Sequence, residues 1–211
     1  MVDKSLVYIL GGGISAKDMV QNIQQLRQQG YVLGLNRAVI HVECDGVFAL
    51  DRQFEANSPD IWLKYKEKDE AHTCYTNRRD KTPQKGVVNW TRIDNHDPTL
   101  EKLNIGTGLP GGANCGLAAI HWALQMGAKT VVLLGYDLPL KTEAWYPLEH
   151  DVPNQRHNQP KILRNYEHCA PFFKKLWPDS RILNTNRNSE VKCFDYIDLE
   201  GIYDRNSLLA C

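Results

Sequence analysis

Leu6 to Leu10 form an unbroken apolar run that stops at Gly11, Gly12 and Gly13. A run this short, with no polar alternation, suits a strand covered on both faces, and such strands belong to parallel sheets flanked by helices. The rest of the first fifty residues keeps to that plan. "SAKDMVQNIQQLRQQG" spaces Met19, Ile23 and Leu26 at helical intervals and stops at Gly30, predicting a helix. "YVLGLN" is a second apolar run ending at Asn36, and "DGVFALD" (45–51) a third ending at Asp51. The order strand, helix, strand, short link, strand predicts a parallel sheet joined by crossovers.

The same grammar returns at "GGANCGLAAIHWALQMGAKTVVLLGYDL", where a glycine loop leads an Ala/Leu-rich helix broken at Gly127 and then a strand. A helix over about 160–176, a short strand "RILNTN" and the pieces in "CFDYIDLEGI" follow. Residues 55–105 are polar and weakly periodic; the pattern there predicts surface helix and loop, with a strand at "GVVNW". Neither an internal repeat nor a low-complexity linker interrupts the 211 residues, which predicts one domain.

Charge excludes some partners. The formal net charge is zero, from 25 basic and 25 acidic residues, so no long-range pull toward nucleic acid or anionic membrane follows. Arg78, Arg79, Lys81 and Lys85 leave room for a local basic patch. No stretch approaches the ~20 apolar residues of a membrane span. The opening "MVDKSLVYIL" enters a strand at once rather than resembling a secretory leader, and the six cysteines have neither paired nor metal-site spacing. Both features predict a cytoplasmic protein with buried free thiols.

The candidate chemistry sits at strand ends. Gly11, Gly12 and Gly13 would present backbone N–H groups at the start of a helix, a common device for holding phosphate. Ser15 is placed to cap that helix or to donate to a ligand. The spacing is not GxGxxG, which disfavours NAD. Asn36 and Asp51 end their strands, where parallel sheets bind ligands, although both residue types also favour turns. The loop with Gly111, Gly112, Asn114 and Gly116 would form a second cradle, and the next strand delivers Tyr136 and Asp137 to the same edge. Asp137 could serve a ribose hydroxyl, a metal or an acceptor, or cap the following turn. Loop 141–160 gathers Trp145, Tyr146, His150, Asp151, His157 and Asn158, and an ordinary histidine titrates near pH 6.5, the range of a general base. His121 lies within a helix and reads as structural. Metal ligation looks weak: His150 and His157 lack helical i, i+4 spacing and no DxD occurs. Neither a GxSxG elbow nor a Walker loop is present.

These segments resemble the motility-accessory-factor and DUF115 group, to which bacterial family 42 sialyltransferases and small phage-borne members are similar. The likeness runs through "LVYILGGGISAKDM", "LGLNRAVIHVECDGVFALD", "GGANCGLAAIHWALQMGAKTVVLLGYDL" and "ILNTNRNSEVKCFDYIDLE", but not through 55–105. It implies an α/β, Rossmann-like, mostly parallel sheet with helices on both faces, in a single domain with 55–105 as an insertion or lid. It also implies nucleotide-sugar binding through Gly11, Gly12, Gly13, Ser15 and Asn36, with Asn114, Cys115 and Gly116 from the second loop, and His157 or His150 as general base. Gly12 stands where that group carries Asn and Ile14 where it carries Pro, so the base contact of that Asn is missing and CMP-sialic acid is not fixed as donor. The expected function is a metal-independent, sialyltransferase-like glycosyltransferase needing no cofactor beyond its nucleotide-sugar donor. Its acceptor would be a glycan, a protein or a modified DNA base, and a homo-oligomer is compatible. Two rivals are a Mg²⁺-dependent pterin-type diphosphokinase with Asp51 and Asp137 as ligands, and a nucleotide-binding protein without catalysis.

Overall fold

The computed structural model describes residues 3–49, 52–73, 87–89, 91–93, 108–110, 114–138 and 159–210. Its strands are β1 (Leu6–Leu10), β2 (Tyr31–Leu35), β3 (Gly46–Ala49), β4 (Ala71–Thr73), β5 (Val87–Asn89), β6 (Thr91–Ile93), β7 (Gly108–Pro110), β8 (Thr130–Leu134), β9 (Arg181–Asn184) and β10 (Asp195–Tyr196). Eight of them form one sheet in the order β10-β9-β8-β1-β2-β3-β4-β5, with every neighbouring pair parallel. β6 and β7 pair separately, also in parallel. The strand expected at "GVVNW" is β5, and with β4 it extends the main sheet out of the polar middle of the chain.

The helices are α1 (Lys17–Gln21), α2 (Ile23–Gln29), α3 (Ala38–His41), α4 (Arg52–Asn57), α5 (Pro59–Lys66), α6 (Cys115–Gln125), α7 (Gln159–Leu176) and α8 (Arg205–Leu209). Strand alternation divides the core between the faces. Val7, Ile9, Val131 and Leu133 point to the face covered by α6 and α7, where Ile120, Trp122, Tyr166 and Phe173 pack. Leu6, Tyr8, Leu10, Val132 and Leu134 point to the other, against Met19, Ile23 and Leu26 of α1 and α2 and Trp62 and Tyr65 of α5. The fold is therefore α/β and Rossmann-like with helices on both faces, as expected.

The first helix differs in detail from its expected form. A 3₁₀ turn, Ile14–Ala16, precedes α1, and the helix divides at Asn22. α6 ends as the sequence predicts: Gly127 takes φ +89°, a conformation that costs glycine little. Cys44 and Cys169 are buried free thiols, each pushed up to about 12 chiefly by burial; Cys115 and Cys193 are free and partly exposed. Among the described residues no helix is long and apolar enough to cross a membrane.

The amino edge of the sheet is closed by polar contacts. The Tyr8 hydroxyl donates to the Ile202 carbonyl (2.9 Å), and Thr130 and Arg181 donate to the carbonyl of Leu208 in α8 (both 2.5 Å). Beside them Glu70 accepts from Tyr31 (2.5 Å) and Lys4 (3.2 Å) and lies 3.3 Å from His72 Nε2, whose ring packs on Trp122. Burial pushes the Glu70 carboxyl up, but the His72 and Tyr31 hydrogen bonds and the Lys4 charge outweigh it and hold the group down at about 2. Burial lowers His72 from its ordinary 6.5 despite the opposing pull of Glu70.

In both groups the folded value lies below the unfolded one, so the unfolded chain binds more protons as pH falls. Stability should decline below pH 6.5 as unfolded His72 charges, and again from about 4.5 toward 2 through Glu70. Urea midpoints measured from pH 8 to pH 3 should show both steps, and Glu70→Gln should remove the lower one.

Candidate active site

The strand order places β1 between β2 and β8, so successive connections leave β1 in opposite directions. In open parallel sheets the carboxyl ends at such a switch point are where ligands bind. Here the loops after β1 and β8 meet backbone to backbone. The Gly11 amide donates to the Leu134 carbonyl (2.8 Å) and the Gly13 amide to that of Gly135 (3.1 Å), while Gly135 adopts φ +70°. A Cβ on Gly13 would lie 2.5 Å from Asp137 Cγ and 2.6 Å from the Gly135 oxygen. Close approach of two chain segments therefore explains Gly11 and Gly13 without a ligand.

Asp137 completes the contact. Its Oδ2 accepts the Ser15 amide at 2.8 Å, and its Oδ1 accepts the Ser15 hydroxyl and Asn186 Nδ2, the latter at 2.8 Å. The carboxylate is 7% exposed, and three donors satisfy it where no described cation does. Ser15 thus spends its hydroxyl on Asp137 instead of capping the helix, whose preceding residue is Gly13. A carboxylate offers about four acceptor directions, so one on Oδ2 remains for a substrate hydroxyl or amine. Sequence reasoning missed Asn186. The only signal was an asparagine-rich turn after the last strong strand, "NTNRN".

On the other side of β1 the donors remain available. Among the described residues the Gly12 and Ile14 amides have no hydrogen-bond partner. Alternate amides of an extended segment face opposite neighbours, so with Gly11 and Gly13 turned to β8, Gly12 faces β2. Leu10 pairs with Gly34, and continuing that register sets Gly12 level with Asn36. Asn36 takes φ 47°, a left-handed conformation that Asn tolerates, and its amide donates to the Phe48 carbonyl at 3.0 Å. Its side-chain Nδ2 has no partner among the described residues.

The second loop reaches the same place. The Cys115 thiol, at the first turn of α6, approaches the Phe48 carbonyl (3.2 Å) and Asn36 Oδ1 (3.7 Å). Asn114 caps α6, accepting from the Gly116 (2.9 Å) and Leu117 (3.3 Å) amides, so those two donors are committed within the helix. The Tyr166 hydroxyl steadies the cap at 3.1 Å, and the Tyr136 hydroxyl donates to the Gly116 carbonyl at 3.2 Å. A Cβ on Gly116 would meet the Tyr166 oxygen at 2.5 Å. Burial pushes the Tyr136 phenol well above its usual range, and the group is a structural strut behind the loop. His121 is structural too, stacked on Phe173 and edge-on to Trp177.

The structure therefore brings Gly12, Asn36 and Cys115 to one part of the carboxyl edge, with Gly11, Gly13, Ser15, Tyr136, Asp137, Asn114 and Gly116 building the frame behind them. His157, His150, Asp51, Gly111 and Gly112 lie outside the described residues. Among the described residues no group of three or more His, Cys, Asp or Glu could hold a metal ion.

No protein-family model and no curated protein sequence matches the chain. Among solved structures it superposes on the MAf glycosyltransferase from Magnetospirillum magneticum AMB-1, with TM-score 0.52 and 14% identity over 92% of this chain and 33% of that one. At that identity the match shows a shared fold, and this chain spans about a third of the length of that protein.

Gly13→Ala should destabilise the protein by about 1–3 kcal/mol through overpacking against Asp137 and Gly135. Ser15→Ala should cost about 1–2 kcal/mol by removing one of three donors to a buried carboxylate. Gly12→Ala, outside that contact, should affect ligand binding more than stability. Urea unfolding of the three variants checks the order.

Proposed function

We propose that the chain is a glycosyltransferase that moves a sugar from a nucleotide-sugar to an acceptor hydroxyl, in the cytoplasm and without a metal ion. The observation that carries this reading is the Gly12 amide, set by strand register level with Asn36 at the carboxyl edge; among the described residues neither it, nor the Ile14 amide two residues on, nor Asn36 Nδ2 has a hydrogen-bond partner. The shared fold with a glycosyltransferase and the resemblance to the motility-accessory-factor and sialyltransferase group support it. In this mechanism the amides take the phosphate that leaves the sugar, and preorganised donors of this kind stabilise charge as it develops. Asn36 holds the nucleoside side. His157, or else His150, takes the acceptor proton as the hydroxyl oxygen bonds to the anomeric carbon and the bond from that carbon to phosphate oxygen breaks. The remaining acceptor direction of Asp137 Oδ2 suits a sugar hydroxyl. A glycan, a protein or a modified DNA base would serve as acceptor.

Asp137 also weighs between the rivals. The diphosphokinase reading needs it as a Mg²⁺ ligand, yet three of its four acceptor directions are taken by Ser15 and Asn186, and the one left suits a single hydroxyl, which favours the transferase.

CMP-, UDP-, GDP- and dTDP-sugars, each with Mg²⁺ or EDTA, should be compared by thermal shift. One should raise the melting temperature in EDTA, since a ligand at a thousandfold its Kd stabilises by about 4 kcal/mol. Asn36→Ala should weaken that ligand. His157→Ala or His150→Ala should slow transfer by about 10²–10⁴-fold with donor binding retained. Unchanged rates in both histidine variants would remove the base assignment, and activity only with Mg²⁺ would favour the diphosphokinase.

A further inference from the structure

The turn after β9, residues 184–192, crosses the carboxyl edge beside Asp137 and is tightly tied down. The Asn186 amide donates to Asn184 Oδ1 (3.0 Å) and the Asn188 amide to Asn186 Oδ1 (2.9 Å). Ser189 donates its hydroxyl to the Tyr136 carbonyl (2.7 Å), and the Glu190 amide donates to that of Leu138 (2.6 Å). With Asn186 Nδ2 on Asp137, these bonds lock the turn to the end of β8 and hence to the glycine loop.

Among the residues this turn presents to solvent are Arg187, Asn188, Glu190 and Lys192. Arg187 is the one held on an aromatic ring. Its guanidinium lies 4.5 Å from the centre of the Tyr196 ring, at the end of β10. Among the described residues no carboxylate pairs with it. Arg27 pairs with Asp45 and Glu43, Arg205 with Asp3, and Arg181 donates to backbone carbonyls. The nearby Lys192 adds a second positive charge, its ammonium capping the Arg187 carbonyl at 2.6 Å. A guanidinium held over an aromatic ring keeps N–H donors for a planar oxyanion and loses little freedom on binding one. The turn thus sets two positive charges, Arg187 and Lys192, at the edge where the site lies, and among the described residues neither forms an ion pair with the exposed Glu190 between them or with Asp137.

We propose that Arg187, held on Tyr196, is a substrate-recognition residue that binds an oxyanion, phosphate or carboxylate, of a molecule lying along the carboxyl edge. The assignment rests on the transferase reading only for the identity of that molecule. Tyr196 in β10 and the end of β2 are four strand spacings apart, about 19 Å, so Asn36 and the guanidinium held on Tyr196 would engage opposite ends of an extended ligand. The oxyanion comes either from the phosphates of the donor or from a charged acceptor glycan.

Calorimetric titrations separate these sources. Wild type, R187A and R187K are titrated with CMP, UDP and GDP, with the matching nucleosides, with inorganic pyrophosphate, and with a hyaluronan tetrasaccharide as a glycan charged only by carboxylates. The donor source predicts that R187A weakens a nucleotide and pyrophosphate about tenfold or more and leaves the nucleosides unchanged. The acceptor source predicts that loss for the tetrasaccharide alone. R187K should recover less than half of either loss, because an ammonium lacks the fork. Equal affinities in wild type and R187A for every charged probe, an equal loss for nucleosides, or no charged probe bound by wild type would each overturn the assignment. Nucleotide-sugar turnover is measured in parallel. Binding lost in R187A with no transfer by wild type keeps Arg187 and removes the transferase; transfer with unchanged R187A kinetics does the reverse.

Discussion

The buried carboxylate of Asp137 joins three parts of the chain that are far apart in sequence. It takes the amide and hydroxyl of Ser15 from the turn after β1 and the side-chain amide of Asn186 from the turn after β9, while standing itself just past β8. A charge so buried is tolerated only because these donors meet it. Their convergence in turn requires the chains after β1 and β8 to touch, which only glycine at 11 and 13 allows. Sheet, turns and glycines thus form one constraint satisfied together.

That constraint decides what the edge can bind and where. A helix start ordinarily invites an anion, but here a carboxylate of the protein already holds the Ser15 amide, and a second negative charge beside it would be repelled. Among the described residues the donors without a partner are the amides of Gly12, which faces β2 and is level with Asn36, and of Ile14. The glycine run therefore serves two ends: its outer members let two backbones meet, and its middle member is turned toward the proposed ligand.

Much of this was legible from residues alone. β1, β2, β3 and β8 announce themselves as short apolar runs because they are buried on both faces, and Met19, Ile23 and Leu26 mark one helix face by their spacing. The three-residue strands β4, β6 and β7 are too short to show any period, so the polar middle reads as surface helix and loop around a single strand. At the site, the sequence shows Ser15 and Asp137 as separate candidates for caps or ligands. Their bond spans 122 residues, and that from Asn186 to Asp137 spans 49, so no local pattern could reveal either. The amides of Gly116 and Leu117 are committed locally, by the Asn114 cap two and three residues before them, in a loop whose glycines read as a cradle of open donors.

The latch formed by Ile202 and Leu208 has a bearing on how such a protein can change over time. It seals the end of the sheet opposite the proposed site, using carbonyl oxygens that any residue at those positions would supply. Structural insurance is thus lodged at one pole and chemistry at the other. Exposed positions of the site-bearing turns, away from the Asp137 junction, are free to diversify toward new substrates while the barrier to unfolding is maintained from the opposite pole.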